Sequence, residues 1–376
     1  MKLRIDTRPL TENAEYLYGL AEHRGLGIAA VIKSAAAHPD IVAALAAGGV
    51  RRFYLSNPAA LDALAAIPRE HRALVRLPRL SEIPHIPNAF RLSLQSDIDK
   101  IDALRRAAAA AGAVHGILLA IDLGDRREGL LPEEIGPFAA KLAPRLGDWL
   151  ELEGVLVSFA CASGFLPQPA HFGMITDLVR RIEDTVGTRL TTVSVGGSVV
   201  LDYLLDDVDF GRVTEMRGGE AFLLGTITTA RKAFPGLNPN AFVFSGEVLE
   251  AKTRLIVADE RCGLDALNRP PRVGREGLRY RLLADFGALH TEVQGLSPLQ
   301  DGLEIVTATG EYTVLDATAL DPTPKVGDRI GFRPDYAALA VALLSPLVEV
   351  EVAAAAVRPD KSVESAGAPA SRSWTG

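Results

Sequence analysis

The chain has 376 residues, a formal net charge of −7, 48% hydrophobic residues and 23% charged ones. That balance is ordinary for a globular protein with room for two cores, and the acidic excess excludes the basic footprint of a nucleic-acid binder. The only cysteines, Cys161 and Cys262, are too few and too far apart for a disulfide framework, and they fit a reducing cytoplasm.

The first residues, 1–9, have no apolar run after their charges and do not read as a signal peptide. Residues 11–23 read as a helix capped by Thr11, with Leu17, Leu20 and Ala21 on one side. Residues 28–33, Ile-Ala-Ala-Val-Ile-Lys, follow Gly27 as an unbroken apolar strand that ends on Lys33. Such a run reads as a strand buried on both faces of a parallel sheet. A lysine at its end is costly without a task, and one known task is a Schiff base with an aldehyde.

The same rhythm continues. Helices are expected over 40–47, 58–66, 97–112, 132–146, 168–186 and 199–205. Strands are expected over 53–56, 74–77, 90–94, 114–123, 154–160 and 190–195, and an apolar patch at 222–225 closes this half. Strand and helix alternate about eight times in the first ~235 residues, which predicts a (β/α)8 TIM barrel. A doubly wound open sheet shows the same alternation, but the glycine-rich fingerprint expected after its first strand is missing. After Pro235 the texture turns β-rich, with strands over 242–253, 278–286, 303–308, 312–316 and 329–332 separated by Gly and Pro turns. The predicted organisation is an α/β barrel over 1–235, a mainly β C-terminal domain over 236–352 and a disordered tail over 353–376. The late apolar run 337–348 is broken by Pro346 and is too short to cross a bilayer. No zinc-type spacing, Walker loop or other metal-ligand pair is visible.

In a barrel, chemistry sits at the C-terminal ends of the strands. The first strand ends in Lys33. The fifth ends in Asp-Leu-Gly-Asp-Arg-Arg-Glu-Gly (122–129), the seventh in Ser-Val-Gly-Gly-Ser (194–198), and the eighth carries Met-Arg-Gly-Gly-Glu (216–220). Two glycine turns near helix starts can present backbone N–H groups to a phosphate. A lysine for an aldehyde, a phosphate cradle and nearby arginines make the minimum set for pyridoxal 5′-phosphate (PLP).

On these residues, together with Gly-Leu-Asp-Ala (263–266), Asp-Tyr-Ala-Ala-Leu (335–339) and Ser345-Pro346, the sequence resembles the fold-type III PLP enzymes of the alanine racemase group. Within that group it is nearest the ornithine racemase-like branch. The resemblance extends to about residue 352. It implies a PLP-dependent amino-acid racemase or epimerase that removes and returns an α-proton. Lys33 would hold PLP and act as one acid/base. Arg127 would lie near the phenolic oxygen, Ser198, Gly219 and Tyr336 at the phosphate, and Arg217 at the pyridine nitrogen. An arginine there leaves that nitrogen unprotonated, since its own pKa is above ~12.

The second acid/base of the group comes from a partner subunit. Cys262 matches a cysteine that related decarboxylases place at that face, and Asp265 would recognise a substrate amine. Ser158 stands where the group has a bulkier His or Asn, Ala37 where alanine racemase has a tyrosine, and Gly197 where an asparagine precedes the phosphate serine. The implied assembly is a cytoplasmic homodimer with shared active sites, acting on a small-molecule amino-acid substrate of ornithine-like type and on neither nucleic acid nor membrane. Decarboxylation, aldolase or lyase chemistry on the same scaffold is the alternative, and a non-catalytic PLP-binding protein is a further one.

Overall fold

The computed structural model describes residues 1–35, 38–57, 65, 67–227, 232–257, 262–270 and 272–353. Strand β1 (Lys2–Ile5) comes first, then a helix, Thr7–His23. That helix begins before the expected cap. Asp6 is its N-cap and accepts from the Arg8 N–H at 3.0 Å. Thr11 is interior, and its hydroxyl donates instead to the Ala44 carbonyl at 3.1 Å, tying this helix to helix Pro39–Ala47.

Eight parallel strands then close a barrel: β2 (Gly27–Val31), β3 (Arg52–Leu55), β4 (Arg72–Leu74), β5 (Leu92–Gln95), β6 (His115–Ile121), β7 (Leu150–Ser158), β8 (Thr192–Gly196) and β9 (Glu215–Gly218). The last returns to the first, with Ala29 opposite Arg217. β6 is buried at every position, which is why it reads as a continuous apolar run and not as an alternation. Residues pointing into the barrel, among them Ala29, Tyr54, Leu94, Leu118 and Leu156, form a core of their own. The opposite faces join the core under the outer helices. Helices Ile98–Ala111 and Pro169–Val186 stop at Gly112 (φ 60°) and Gly187 (φ 72°), the left-handed conformation that glycine adopts without strain. The helix expected over 58–66 and the tail beyond 353 fall almost wholly outside the described residues.

Two boundaries differ in a way that matters. The first barrel strand ends at Val31, because the Ala35 N–H turns back to the Ile32 carbonyl at 3.2 Å. Lys33 therefore sits in the turn beyond the strand and is exposed, not sunk at the strand's end. The other difference is β1. The alternating Lys-Leu-Arg-Ile segment, grouped by position with the barrel, pairs antiparallel with the strand Phe242–Ile256 and parallel with the strand Glu349–Val352 of the second domain. Its Leu3 lies opposite Phe244 and Val350 and is fully buried.

After a two-strand ladder, β10 (Thr226–Ile227) with β11 (Lys232–Ala233), the second domain is built from β12 (Phe242–Ile256), β13 (Gly277–Ala284), β14 (Leu296–Pro298), β15 (Glu304–Ala308), β16 (Thr313–Asp316), β17 (Arg329–Pro334) and β18 (Glu349–Val352). The long β12 pairs with both β13 and β17. Phe286 packs edge-on against Phe244 and Phe332, with centroids 5.1 and 5.2 Å away, in the core of this domain. Helix Tyr336–Leu344, capped by the Asp335 carboxylate on the Ala338 N–H at 2.9 Å, brings its first residue to the barrel mouth. Among the described residues no helix is long and apolar enough to cross a membrane.

Candidate active site

A cavity of about 620 Å³ opens at the C-terminal ends of the barrel strands. Lys33, Arg127, Ser198, Arg217, Gly219 and Tyr336 all line it, brought from the turns after β2, β6, β8 and β9, from β9 itself and from the second domain. Lys33 enters from the turn after β2. Arg127 comes from the loop after β6 and is held in a bidentate pair by Glu128, one contact being Nη2 to Oε1 at 2.6 Å. That pairing holds its guanidinium firmly protonated. Arg76, after β4, is clamped by Glu82 at 2.7 and 2.8 Å, and the pair pulls the Glu82 carboxyl down to about 2.

Ser198 is buried and accepts the Ala221 N–H at 3.2 Å, so it ties the turn after β8 to the turn after β9. It does not cap its own helical turn. At Gly197, φ is 112°, and a Cβ would lie 2.6 Å from the Phe159 carbonyl. The residue that replaces the group's asparagine is thus dictated by the backbone. At Gly219 a Cβ would come 3.0 Å from the Val31 carbonyl and 3.8 Å from the Tyr336 hydroxyl, filling the concavity between the two turns. Burial raises the Tyr336 phenol above its ordinary value.

Arg217 is 2% exposed. Nη1 donates to the Ser194 carbonyl and hydroxyl, both at 3.1 Å, and Nη2 to the Val157 carbonyl at 2.9 Å and the Ser158 hydroxyl at 3.1 Å. The small Ser158 therefore serves as an acceptor for the guanidinium. Neither Glu215 nor Glu220 makes a direct ion pair with it among the described contacts. Its Nε is buried without a partner, a donor that needs an acceptor from the cavity.

Two of the residues singled out in the sequence lie elsewhere. Asp265 lines a separate cavity of about 480 Å³ in the second domain, and its carboxylate holds its own loop through the Leu267 and Arg269 N–H groups at 2.8 and 2.9 Å. Those bonds keep its pKa low. Cys262 is exposed on the same domain and does not line the barrel cavity of its own chain. Sequence reasoning missed Cys161, which lines the cavity just past the sixth barrel strand. Its N–H is fixed by the Asp125 carboxylate at 2.8 Å, after Ala160 at φ 56°. The only signal for it was its place immediately after a barrel strand, the same kind of position as Lys33.

A lysine, a glycine-lined double turn, a tyrosine and a buried guanidinium with one unsatisfied donor fit the aldehyde, the phosphate and the ring nitrogen of PLP. The fold and site thus define a barrel enzyme built around that cofactor. The sequence profile of the family described as "Alanine racemase, N-terminal domain" matches residues 5–222. Ornithine racemase of Acetoanaerobium sticklandii is 30% identical over 352 residues, 93% of this chain and 99% of that protein. Lysine racemase of Thermotoga maritima is 29% identical over 359 residues, 93% of this chain and 97% of that protein. In structure, alanine racemase from Streptomyces lavendulae superposes with a TM-score of 0.75 at 18% identity, covering 94% of this chain and 96% of the other. Alanine racemase from Bartonella henselae, solved with covalently bound pyridoxal phosphate, gives 0.69 at 16%, covering 94% and 99%. The chain belongs to the alanine racemase N-terminal domain family. It is a PLP-dependent amino-acid racemase.

Proposed function

We propose that this racemase acts on a basic amino acid of the ornithine or lysine type, as a cytoplasmic homodimer whose sites are completed by a second copy. The single observation that carries the site assignment is the convergence of Lys33, Arg127, Ser198, Arg217, Gly219 and Tyr336 on one cavity. The substrate class rests on the two relatives, one an ornithine racemase and one a lysine racemase.

When bound, PLP draws electron density away from the substrate α-carbon, so that its hydrogen can leave as a proton. Lys33 Nζ would hold the cofactor aldehyde and move the proton on one face. Ser198, the Gly219 turn and Tyr336 would bind the phosphate, and Arg127 would fix the phenolic side of the ring. Arg217 Nε would donate to the ring nitrogen and leave it unprotonated, which makes the ring a poorer electron sink and favours prompt return of the proton.

The opposite face needs a second acid/base. We assign it to Cys262 of a second copy, with Asp265 near the substrate amine. Support comes from the exposed position of Cys262 and from exposed apolar residues close to it in the chain or paired across β12 and β13: Leu255, Val257, Leu264 and Leu278 are 68, 66, 61 and 69% exposed. Exposed apolar surface of that kind marks a contact site. Both cysteines are free, which suits the cytoplasm.

Chiral chromatography of an amino-acid panel in deuterated water tests the reading. Interconversion of ornithine or lysine enantiomers with α-deuterium uptake is expected, without loss of carbon. Lys33→Ala should lose both activity and the visible band of bound cofactor. Mixing inactive Lys33→Ala with inactive Cys262→Ser should restore a fraction of the activity if sites are shared between copies. No recovery, with stable dimers present, rules that arrangement out.

A further inference from the structure

The direct acceptors of Arg217 are all uncharged: two carbonyls and two hydroxyls. A fully buried guanidinium in neutral surroundings is costly, and its counter-charge lies one hydroxyl away. Glu215 precedes it by two residues on β9, so both side chains face into the barrel. Ser194, opposite Glu215 in the strand register, donates its hydroxyl to Glu215 Oε1 at 2.6 Å while accepting from Arg217 Nη1 at 3.1 Å. The proton order is forced. A guanidinium only donates, so the serine must accept from it and spend its own proton on the carboxylate.

Two further donors converge on that carboxylate. The Tyr54 hydroxyl reaches Oε1 at 2.7 Å and Arg52 Nη1 reaches Oε2 at 3.2 Å. Tyr54 also presents its ring face to Arg217, 5.3 Å from Cζ. Three donors thus meet the Glu215 carboxylate, and both Nη atoms of Arg217 are committed to the barrel wall. Nε is left as the buried donor without a partner.

We propose that Glu215, acting through the Ser194 hydroxyl, is a positioning residue that keeps Arg217 charged and turned so that Nε alone faces the bound cofactor. This rests on the reading above, in which Arg217 meets the PLP ring nitrogen. Burial pushes the Arg217 pKa down, and the nearby Glu215 carboxylate opposes that shift in part.

The test is titration of cofactor-free protein with PLP, followed by absorbance of the bound cofactor, with thermal melts of each cofactor-free variant alongside. Ser194→Ala and Glu215→Gln should weaken PLP binding about tenfold or more, the loss of a hydrogen bond to a charged group, and should displace the absorption band. Ser194→Thr keeps the hydroxyl and should bind within about threefold of wild type. In an Arg217→Met background, Ser194→Ala should have no further effect on affinity. A purely structural role would lower the melting temperature and leave affinity and band in place, which overturns the proposal, as does an equal loss in the Met background. If Glu215→Gln does not fold, the Ser194→Ala and Ser194→Thr pair decides, since both leave the Arg52 and Tyr54 contacts to Glu215 intact. Wild-type protein that takes up no PLP overturns the cofactor reading and the relay with it. Wild-type protein that binds PLP while the variants match it overturns the relay alone.

Discussion

Gly196, the last residue of β8, is the position where one added methyl should be felt most directly by the site. It lies opposite Arg217 in the strand register. A Cβ there would come 2.2 Å from Arg217 Nη2, 2.4 Å from Cζ and 2.6 Å from Nε, far inside contact distance, so the guanidinium must move. A side chain with a free end would swing away at little cost. This one is 2% exposed and held by four hydrogen bonds, and any displacement breaks at least the two on Nη2. With about 1.5–3 kcal/mol for each bond to a charged group, Gly196→Ala should cost about 3–6 kcal/mol. Urea denaturation of the cofactor-free protein measures it. The cause is separable, because in Arg217→Met the obstruction is gone and the same alanine should cost under about 1 kcal/mol. Equal losses in the two backgrounds, or a single variant as stable as wild type, would refute the reasoning.

Gly154→Ala should be worse and of a different kind. A Cβ would lie 1.6 Å from the Thr192 carbonyl oxygen of the neighbouring strand, and backbone in a closed barrel has nowhere to go. A loss above about 4 kcal/mol, or no folded protein in the supernatant, is expected, whereas a normal melting curve contradicts the strand pairing. His115 is fully buried between the Ser93 hydroxyl and the Phe90 carbonyl, and burial, then the nearby Arg69 charge, pushes its pKa down to about 3. It stays neutral in the fold while the unfolded chain takes up a proton below about 6.5, so the unfolded state binds more protons and stability falls as pH drops from 6.5 towards 3. The loss at pH 5 should be about 2 kcal/mol. His115→Asn should flatten melting temperature against pH over that window, and an unchanged slope rejects the assignment.

Much of the architecture could be read from local pattern. Runs such as 117–121 and 28–32 are continuous because parallel barrel strands are buried on both faces, and their spacing by helices counts out a barrel before any contact is known. Lys33, Arg127, Ser198, Arg217 and Gly219 were legible for a related reason: each follows or ends a barrel strand, and one fold rule places all such positions at one mouth. What resisted reading depended on partners remote in sequence. The four residues of β1 group by position with the barrel until they are seen between β12 and β18. Thr11 carries the cap's chemistry, but Asp6 has the position. Cys161 has no motif, only a location.

The polar layer inside the barrel shows the division most clearly. Arg52 and Tyr54, Thr192 and Ser194, Glu215 and Arg217 are each two residues apart, so alternation within a strand puts each pair on one face. Nothing within any one strand says that this face is the inward one or that the three pairs meet. Local periodicity and the cost of burying charge were enough to specify the elements and the residues at their ends. Closure of the barrel decided which carboxylate balances which guanidinium, because the bonds from Arg52 and Tyr54 to Glu215, at 3.2 and 2.7 Å, exist only after strands more than a hundred residues apart have been brought together around the barrel.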